Sequence, residues 1–248
     1  MLNRIFQKIS RTLVSKSDST LSWFERDFDL FQQLNLNGRF TVDRKDFYPC
    51  LNDHTVQTDF DAHYIYHPAW AARIIRDINP DQHVDISSTL HFCSILSAFV
   101  KTAFYDFRPA DLQLSNLTSL HADLTRLHFE NDSLVSLSCM HTLEHIGLGR
   151  YGDAIDPNGD LKAISELKRV CAKNGSLLIV VPVGIKKIMF NAHRIYDPTE
   201  FRDYFEGFTL ERFSLVTDGR SFIEDASFEL AASQQYGCGC YWFKKQLH

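Results

Sequence analysis

The chain has 248 residues, enough for one large α/β domain with appendages or for two small domains. Its 26 basic and 31 acidic residues give a formal charge of -5, which argues against nucleic acid as a partner because phosphate recognition depends on concentrated lysine and arginine. No apolar run approaches the roughly 20 residues of a membrane-spanning helix, and Met1 to Val14 lacks the apolar core of a signal peptide.

Residues 2–16 have a helical pattern in which only basic charges separate the apolar positions, which are Leu2, Ile5, Phe6, Ile9 and Leu13. Such a helix packs on its own domain or lies along a membrane surface, where it would provide peripheral membrane contact. Residues 20–80 are rich in aromatic side chains, and Pro68 is typical of a helix start. We predict an N-terminal helical, aromatic-rich cap over residues 1–80.

From His83 onward, strands alternate with helices, which predicts a mostly parallel sheet with both faces covered. The predicted strands are 84–87, 102–106, 119–121, 134–139, 176–181, 209–216 and 240–244, and the predicted helices are 88–100, 161–171 and 198–205. About ten residues link the second and third strands, which is short for a helical crossover. We therefore predict a second, α/β domain over residues 81–248.

Acidic residues stand at or near the carboxyl ends of the first three strands, namely Asp85, Asp106 and Asp123. In an open parallel sheet the ligand lies outside these ends, and an acid after the second strand can accept hydrogen bonds from a ribose diol. Any one of these aspartates could simply cap a helix or lie in a solvated loop. Three aspartates, each at or near the end of a different strand, favour a ribose-bearing ligand.

Residues 140–160, MHTLEHIGLGRYGDAIDPNGD, predict a polar, glycine-punctuated loop after the fourth strand, where binding and chemistry concentrate. The end of this loop is similar to a calcium loop, but Leu161 and Leu167 occupy the positions that require glycine and glutamate. We predict instead a turn with Asp160 as the helix N-cap.

The six cysteines have no CxxC spacing, and three lie in apolar segments, which predicts free buried thiols and a reducing, cytoplasmic location. Cys238 and Cys240 could belong to a metal or redox site, but no second Cys/His pair has convincing zinc spacing. The sequence therefore predicts no metal site.

Residues 83–217 resemble the class I S-adenosylmethionine-dependent methyltransferases. The segments that carry the resemblance are HVDISS at 83–88, Asp106, Asp123-Leu124 with LHF at 127–129, LEH at 143–145, ELKRV at 166–170 and NGSLL at 174–178. More narrowly, HIGLGRYGD, VPVG, FNAHRIY and YGCGC resemble a bacterial methyltransferase-like family linked to surface-polysaccharide genes. The resemblance implies a Rossmann-like sheet of seven strands over residues 81–248.

The resemblance also implies S-adenosylmethionine as the cofactor, held by Asp85, Ser87, Ser88, Asp106, Arg108, Asp123, Leu124 and His141. One departure is that the first turn, Ser87 to Leu90, has no glycine to let the backbone approach the cofactor closely. Serine hydroxyls there could instead hydrogen-bond the amino-acid part of the cofactor.

Methyl transfer needs an aligned nucleophile, and a hydroxyl nucleophile benefits from a general base, for which histidine is the natural choice. We predict His145 as the base and His193 as the second candidate. The predicted acceptor-binding residues are Glu144, Arg150, Tyr151, Asp153, Asn191, Arg194, Tyr66 and His67.

The predicted function is O-methylation of a sugar or related small polyhydroxylated acceptor, a small molecule or glycan, in surface-polysaccharide metabolism. The alternative is a non-catalytic protein of the same fold that acts as a binding or partner subunit, and the missing glycines motivate it. A nicotinamide-dependent oxidoreductase is disfavoured because no GxGxxG follows the first strand.

Overall fold

The computed structural model describes residues 23–247, so the predicted membrane-surface helix at residues 2–16 lies outside the described residues. The chain divides into two compact units, Met1–Phe60 and Asp61–His248. This division differs from the boundary predicted after residue 80. The reason is that helix α2, Ala62–Ile78, buries Trp70, Ile74 and Ile75 in a core cluster of the second unit.

The first unit contains helical residues 23–34 (α1) and a short 3-10 helix, Arg44–Asp46. Phe47 packs edge-on against Phe24 and Phe28, with ring centroids 5.0 and 4.6 Å apart, a geometry that aromatic pairs prefer. The predicted N-terminal helical region is confirmed. Within residues 23–247, no helix has both the length and the apolar character to cross a membrane.

Residues 61–247, the described part of the second unit, contain ten strands: β1 Gln82–Ile86, β2 Lys101–Asp106, β3 Leu117–His121, β4 Leu134–Met140, β5 Cys171–Val183, β6 Lys187–Met189, β7 His193–Ile195, β8 Phe208–Val216, β9 Phe222–Ile223 and β10 Gly237–Lys245. Eight of them form one sheet in the order β3-β2-β1-β4-β5-β10-β8-β9, and β6 and β7 form a separate hairpin. The first five strands pair in parallel, whereas β10 is antiparallel to both β5 and β8. The predicted α/β fold with a mostly parallel sheet is confirmed, and the eighth strand is the short β9 at the edge.

Five helices accompany these strands: α2, α3 Leu90–Leu96, α4 Gly159–Val170, α5 Pro198–Asp203 and α6 Phe228–Ala232. Successive residues of β5 point to opposite faces of the sheet. Leu177 and Ile179 join the cluster that contains residues of α4, α5 and α6, whereas Leu178 and Val180 join the cluster of α2 and α3. The continuous apolar sequence of β5 therefore follows from burial on both faces.

The connection between β2 and β3, residues 107–116, contains neither helix nor strand, although the two strands are parallel. Ten residues are enough to run from the end of β2 back to the start of β3, because an extended chain spans about 3.3–3.6 Å per residue. The short spacing in the sequence thus indicates an extended crossover.

Candidate functional site

A cavity of about 500 Å³ lies at the carboxyl ends of β1 to β4. Ser87, Asp106, Asp123 and His141, each at or just after one of these strands, line one side. The loop over residues 145–156 and the start of α4 line the other side. This position is where the strand order reverses between β1 and β4, the usual ligand site of an open α/β sheet, and the volume suits a small molecule.

The turn after β1 keeps a glycine-like conformation without glycine. Ser87 has a φ of +57°, in the left-handed region that side chains usually avoid. Its N–H donates to the Tyr105 carbonyl at 2.7 Å, and its own carbonyl accepts the Thr142 hydroxyl at 2.8 Å. These two hydrogen bonds to neighbouring strand ends hold the strained turn at the cavity wall.

Asp106 and Asp123 present carboxylates to the cavity. The Oδ1 atom of Asp106 accepts the Arg108 N–H at 2.7 Å, and its Oδ2 atom accepts no hydrogen bond from residues 23–247. Asp123 Oδ1 accepts both the N–H and the hydroxyl of Thr125, at 2.8 and 2.7 Å. Leu124, next to Asp123 in the chain, adds an apolar surface to the cavity lining, so the lining could accept both a diol and a planar ring.

Asp85 and Ser88, predicted to bind the cofactor, do not line the cavity. Asp85 is fully buried beneath it, where it accepts the Ser88 N–H at 3.0 Å, the Cys93 thiol at 3.3 Å and the Ser138 hydroxyl. Ser138 also hydrogen-bonds His83 Nε2 at 2.8 Å. Burial raises the pKa of Asp85 to about 6, against the opposing effect of the hydrogen bonds from Ser138, Ser88 and Cys93.

Replacing Asp85 with asparagine should change how stability depends on pH. Between about pH 4 and 6 the native protein holds the Asp85 proton and the unfolded chain does not, so this group's contribution to stability falls as pH rises and levels off above about 6. The difference in unfolding free energy between wild type and Asp85→Asn should therefore fall by roughly 1–3 kcal/mol over this window.

Urea unfolding at several pH values measures this difference. Burial also lowers the pKa of His83 to about 3, which gives the opposite slope, but His83 is present in both proteins and its contribution cancels in the difference. Asp81→Asn, on an exposed acid just before β1, is the matched control for loss of a carboxyl group. A difference between wild type and Asp85→Asn that does not change with pH would contradict the raised pKa.

The loop after β4 is organised by Asp153. Its Oδ2 accepts the N–H groups of Gly147 and Gly149 at 2.7 and 3.3 Å, and its Oδ1 accepts that of Tyr151 at 3.2 Å. Burial would raise the pKa of Asp153, but these N–H groups outweigh it and hold the pKa below its usual value. Gly147 has a φ of +81°, and a Cβ there would lie 2.0 Å from the Asp156 carbonyl oxygen, so this turn requires glycine.

His145 lines the cavity from this loop. Its Nδ1 lies 2.6 Å from the Ala192 carbonyl oxygen, which can only accept, so Nδ1 carries the proton of the neutral ring and Nε2 has the lone pair. Nε2 is 3.7 Å from Glu144 Oε1. Arg150 also donates to the Ala192 carbonyl, at 3.1 Å, and steadies the same contact. This arrangement can accept a proton beside a carboxyl group.

Of the other predicted residues, Tyr151 lines the cavity, and the guanidinium carbons of Arg108 and Arg150 lie 4.7 and 5.0 Å from its ring centroid. The predicted residues outside the cavity lining are Glu144, Arg150, Asn191, His193, Arg194, Tyr66 and His67. Glu144, Arg194 and His67 are buried, and the His193 ring packs 4.9 Å from that of Tyr236. Burial lowers the pKa of His193.

Several cavity residues were not predicted from the sequence. Lys162, in the first turns of α4, pairs with Asp156 at 2.7 Å and brings a positive charge to the cavity. Its only signal in the sequence is its place just after a glycine-containing turn. The predicted N-cap is wrong: α4 begins at Gly159 with Asn158 as N-cap, and Asp160 is buried inside the first turn.

Comparison with solved structures identifies the fold. A candidate methyltransferase from Bacillus halodurans is 15% identical, with a TM-score of 0.51 over 72% of this chain and 98% of its own. The 1,6-didemethyltoxoflavin-N1-methyltransferase of Burkholderia thailandensis, solved with bound 1,6-didemethyltoxoflavin and S-adenosylhomocysteine, is 10% identical, with a TM-score of 0.52 over 73% of this chain and 79% of its own. A candidate sarcosine dimethylglycine methyltransferase from Galdieria sulphuraria is 14% identical, with a TM-score of 0.52 over 72% and 85%. The fold is therefore the Rossmann-like fold of class I methyltransferases.

A sequence family model also matches. It is described as "Caenorhabditis protein of unknown function, DUF268" and covers residues 112–235, half of the chain. The match runs from just before β3 through α6 and includes the loop that carries His145 and Asp153. No protein with curated function matches the sequence.

Proposed function

We propose that this chain, which belongs to the family described as Caenorhabditis protein of unknown function, DUF268, is an S-adenosylmethionine-dependent methyltransferase that acts on a hydroxyl group. The observation that carries the proposal is the cavity at the ends of β1 to β4, because carboxylates line one side of it and an imidazole with a free lone pair lines the other. A fold by itself does not determine a function, so the proposal depends on these groups.

The residues present fit the cofactor. Asp106 Oδ2 accepts no hydrogen bond from residues 23–247 and could accept a ribose hydroxyl. Leu124 offers an apolar wall to a purine ring, and Asp123 stands beside it. Ser87 keeps the left-handed conformation that glycine would adopt in this turn. When bound, S-adenosylmethionine supplies a methyl group on a positively charged sulfur.

The residues across the cavity support a polar acceptor. His145 Nε2 could take the proton of an acceptor hydroxyl, and the resulting charge would be 3.7 Å from the Glu144 carboxyl group. A polyhydroxylated molecule could pack on the aromatic ring of Tyr151. Its hydroxyl groups could hydrogen-bond the carboxyl group of Asp156 and the amino group of Lys162. Together with the motif resemblance, these groups favour a sugar or related small molecule in surface-polysaccharide metabolism as the acceptor.

Asp106→Ala should weaken the binding of S-adenosylmethionine roughly tenfold or more. A hydrogen bond to a charged group contributes about 1.5–3 kcal/mol, and each 1.4 kcal/mol is about a factor of ten in affinity. Titration calorimetry of the full chain with S-adenosylmethionine and S-adenosylhomocysteine measures the loss. Asp106→Asn, which keeps an acceptor for the Arg108 N–H, separates loss of the charge from disruption of the turn.

The matched control is Asp81→Ala, which removes an exposed acid at the opposite end of the sheet and should leave affinity unchanged. Equal affinity in Asp106→Ala and wild type would exclude Asp106 from the binding site. Failure of the wild-type protein to bind either compound would instead favour a non-catalytic binding subunit of the same fold.

A further inference from the structure

A cluster of two histidines and a cysteine lies beside the cavity, and no step of the proposed methyl transfer uses it. One ligand atom each from His63, His141 and Cys238 lies within 4.8 Å of the other two. His141 belongs to the cavity wall as well, whereas His63 and Cys238 do not line the cavity.

Three different elements bring these residues together. His141 follows β4 directly, and its N–H donates to the Val180 carbonyl of β5 at 2.8 Å. Cys238 lies at the start of β10, and because β10 is antiparallel to β5, its start is at the same edge as the carboxyl ends of the parallel strands. His63 is in the first turn of α2. His63 and Cys238 thus lie on a helix and a strand, which hold side chains more precisely than loops do.

The orientation of His141 is that of a metal ligand. Its Nδ1–H donates to Glu144 Oε1 at 2.9 Å, so the lone pair is on Nε2, and this atom lies 3.4 Å from Cys238 Sγ. A carboxylate that orients a histidine in this way is the usual support of a zinc ligand. Around a tetrahedral zinc, nitrogen and sulfur ligands are about 3.3–3.7 Å apart, so His141 and Cys238 already have the required spacing.

Two buried polar side-chain atoms near the cluster, Glu144 Oε2 and His67 Nε2, lack hydrogen-bond partners within residues 23–247. The His67 ring lies 5.0 Å from that of His141. Buried unpaired polar atoms call for an explanation, and a cation would supply one.

We infer that His63, His141 and Cys238 bind one divalent transition-metal ion of the zinc type. Two imidazoles and a thiolate favour such an ion over magnesium or calcium, which prefer oxygen ligands. Binding converts the Cys238 thiol to a thiolate and releases one proton to solvent. Three protein ligands leave a fourth position for water. The sequence predicted no metal site because the His141 and Cys238 ligands are 97 residues apart.

The test is a cobalt titration of the metal-free, full-length protein in the absence of S-adenosylmethionine, so that its outcome is independent of the proposed function. Cobalt(II) accepts the tetrahedral donors of zinc and, unlike zinc, reports thiolate coordination by absorption. We expect one cobalt per chain, a thiolate charge-transfer band and reversal by added zinc. Absence of the band in the wild-type protein would overturn the inference.

Variants identify the ligands. Cys238→Ser should abolish the charge-transfer band, and His63→Ala, at a half-buried position, should weaken binding. Cys240→Ser is the matched control, because its Sγ is 3.9 Å from that of Cys238 but it is outside the ligand set, and it should keep the band. Glu144→Gln should keep the band and weaken affinity roughly 10–100-fold through the orientation of His141. A band that survives in Cys238→Ser, or is lost in Cys240→Ser, would overturn the assignment.

Discussion

His145→Ala should lower turnover roughly 10²–10⁴-fold and leave the affinity for S-adenosylmethionine nearly unchanged. In the proposed reaction His145 Nε2 accepts the hydroxyl proton through its lone pair, and the alanine variant has no such nitrogen. Cofactor affinity should persist because Asp106 and Asp123, which would hold the cofactor, lie on other strand ends. The measurement is the rate of S-adenosylhomocysteine release with a pool of monosaccharide and nucleotide-sugar acceptors, alongside calorimetry for the cofactor.

A second variant separates proton transfer from loop structure. His145→Asn keeps a donor near the position of Nδ1, which can still reach the Ala192 carbonyl, but has no basic nitrogen. It should be as slow as His145→Ala. Wild-type turnover in His145→Asn would show that His145 only positions the loop. His193→Ala is the matched histidine control, since His193 is outside the cavity lining, and it should cause a smaller loss. If His193→Ala caused the larger loss, the base would be His193.

Arg194→Ala should lower the free energy of unfolding by roughly 3–5 kcal/mol, because it breaks a buried ion pair and leaves its partner unpaired. The Arg194 side chain is buried and donates to the carbonyl oxygens of Ile146 at 2.7 Å and Pro157 at 3.2 Å. Its Nε is 3.5 Å from Asp160 Oδ2, which also accepts the Tyr196 hydroxyl at 3.0 Å. Arg194 was predicted to bind the acceptor, but its side chain instead braces the loop that carries His145.

Urea unfolding of the full-length protein measures this loss. The matched control is Arg202→Ala, which removes a half-exposed arginine paired with the exposed Asp203 and should cost at most about 1 kcal/mol. The double variant Arg194→Met with Asp160→Asn removes both charges, so it should recover part of the stability lost in Arg194→Ala. A loss for Arg194→Ala no larger than that for Arg202→Ala would contradict the bracing role.

Local patterns in the sequence were sufficient for the seven longer strands of the sheet, β1 to β5, β8 and β10, and for part of the candidate site. The apolar run at 176–181 predicts a strand buried on both faces, and it lies within β5. The register of Asp106 and Asp123 with strand ends predicts a ligand edge, and both residues line the cavity there. Such features can be predicted because strand period and strand termination depend on neighbouring residues. The short β9 and the β6–β7 hairpin have too few residues for a recognisable pattern.

Only the tertiary structure decides which polar side chains line the cavity. Asp85 lies one residue before the end of β1 and Asp106 is the last residue of β2, yet Asp85 is fully buried and takes its hydrogen bonds from Ser138 of the adjacent β4 and Cys93 of α3. Arg194 points inward because carbonyls of a distant loop are there to accept its hydrogen bonds. His63, His141 and Cys238 meet only when α2, β4 and β10 are assembled. The sequence by itself determined where the longer strands form and which polar residues follow them. Contacts between distant segments decided which of those polar side chains are buried and which line the cavity, because no local pattern in the sequence encodes such contacts.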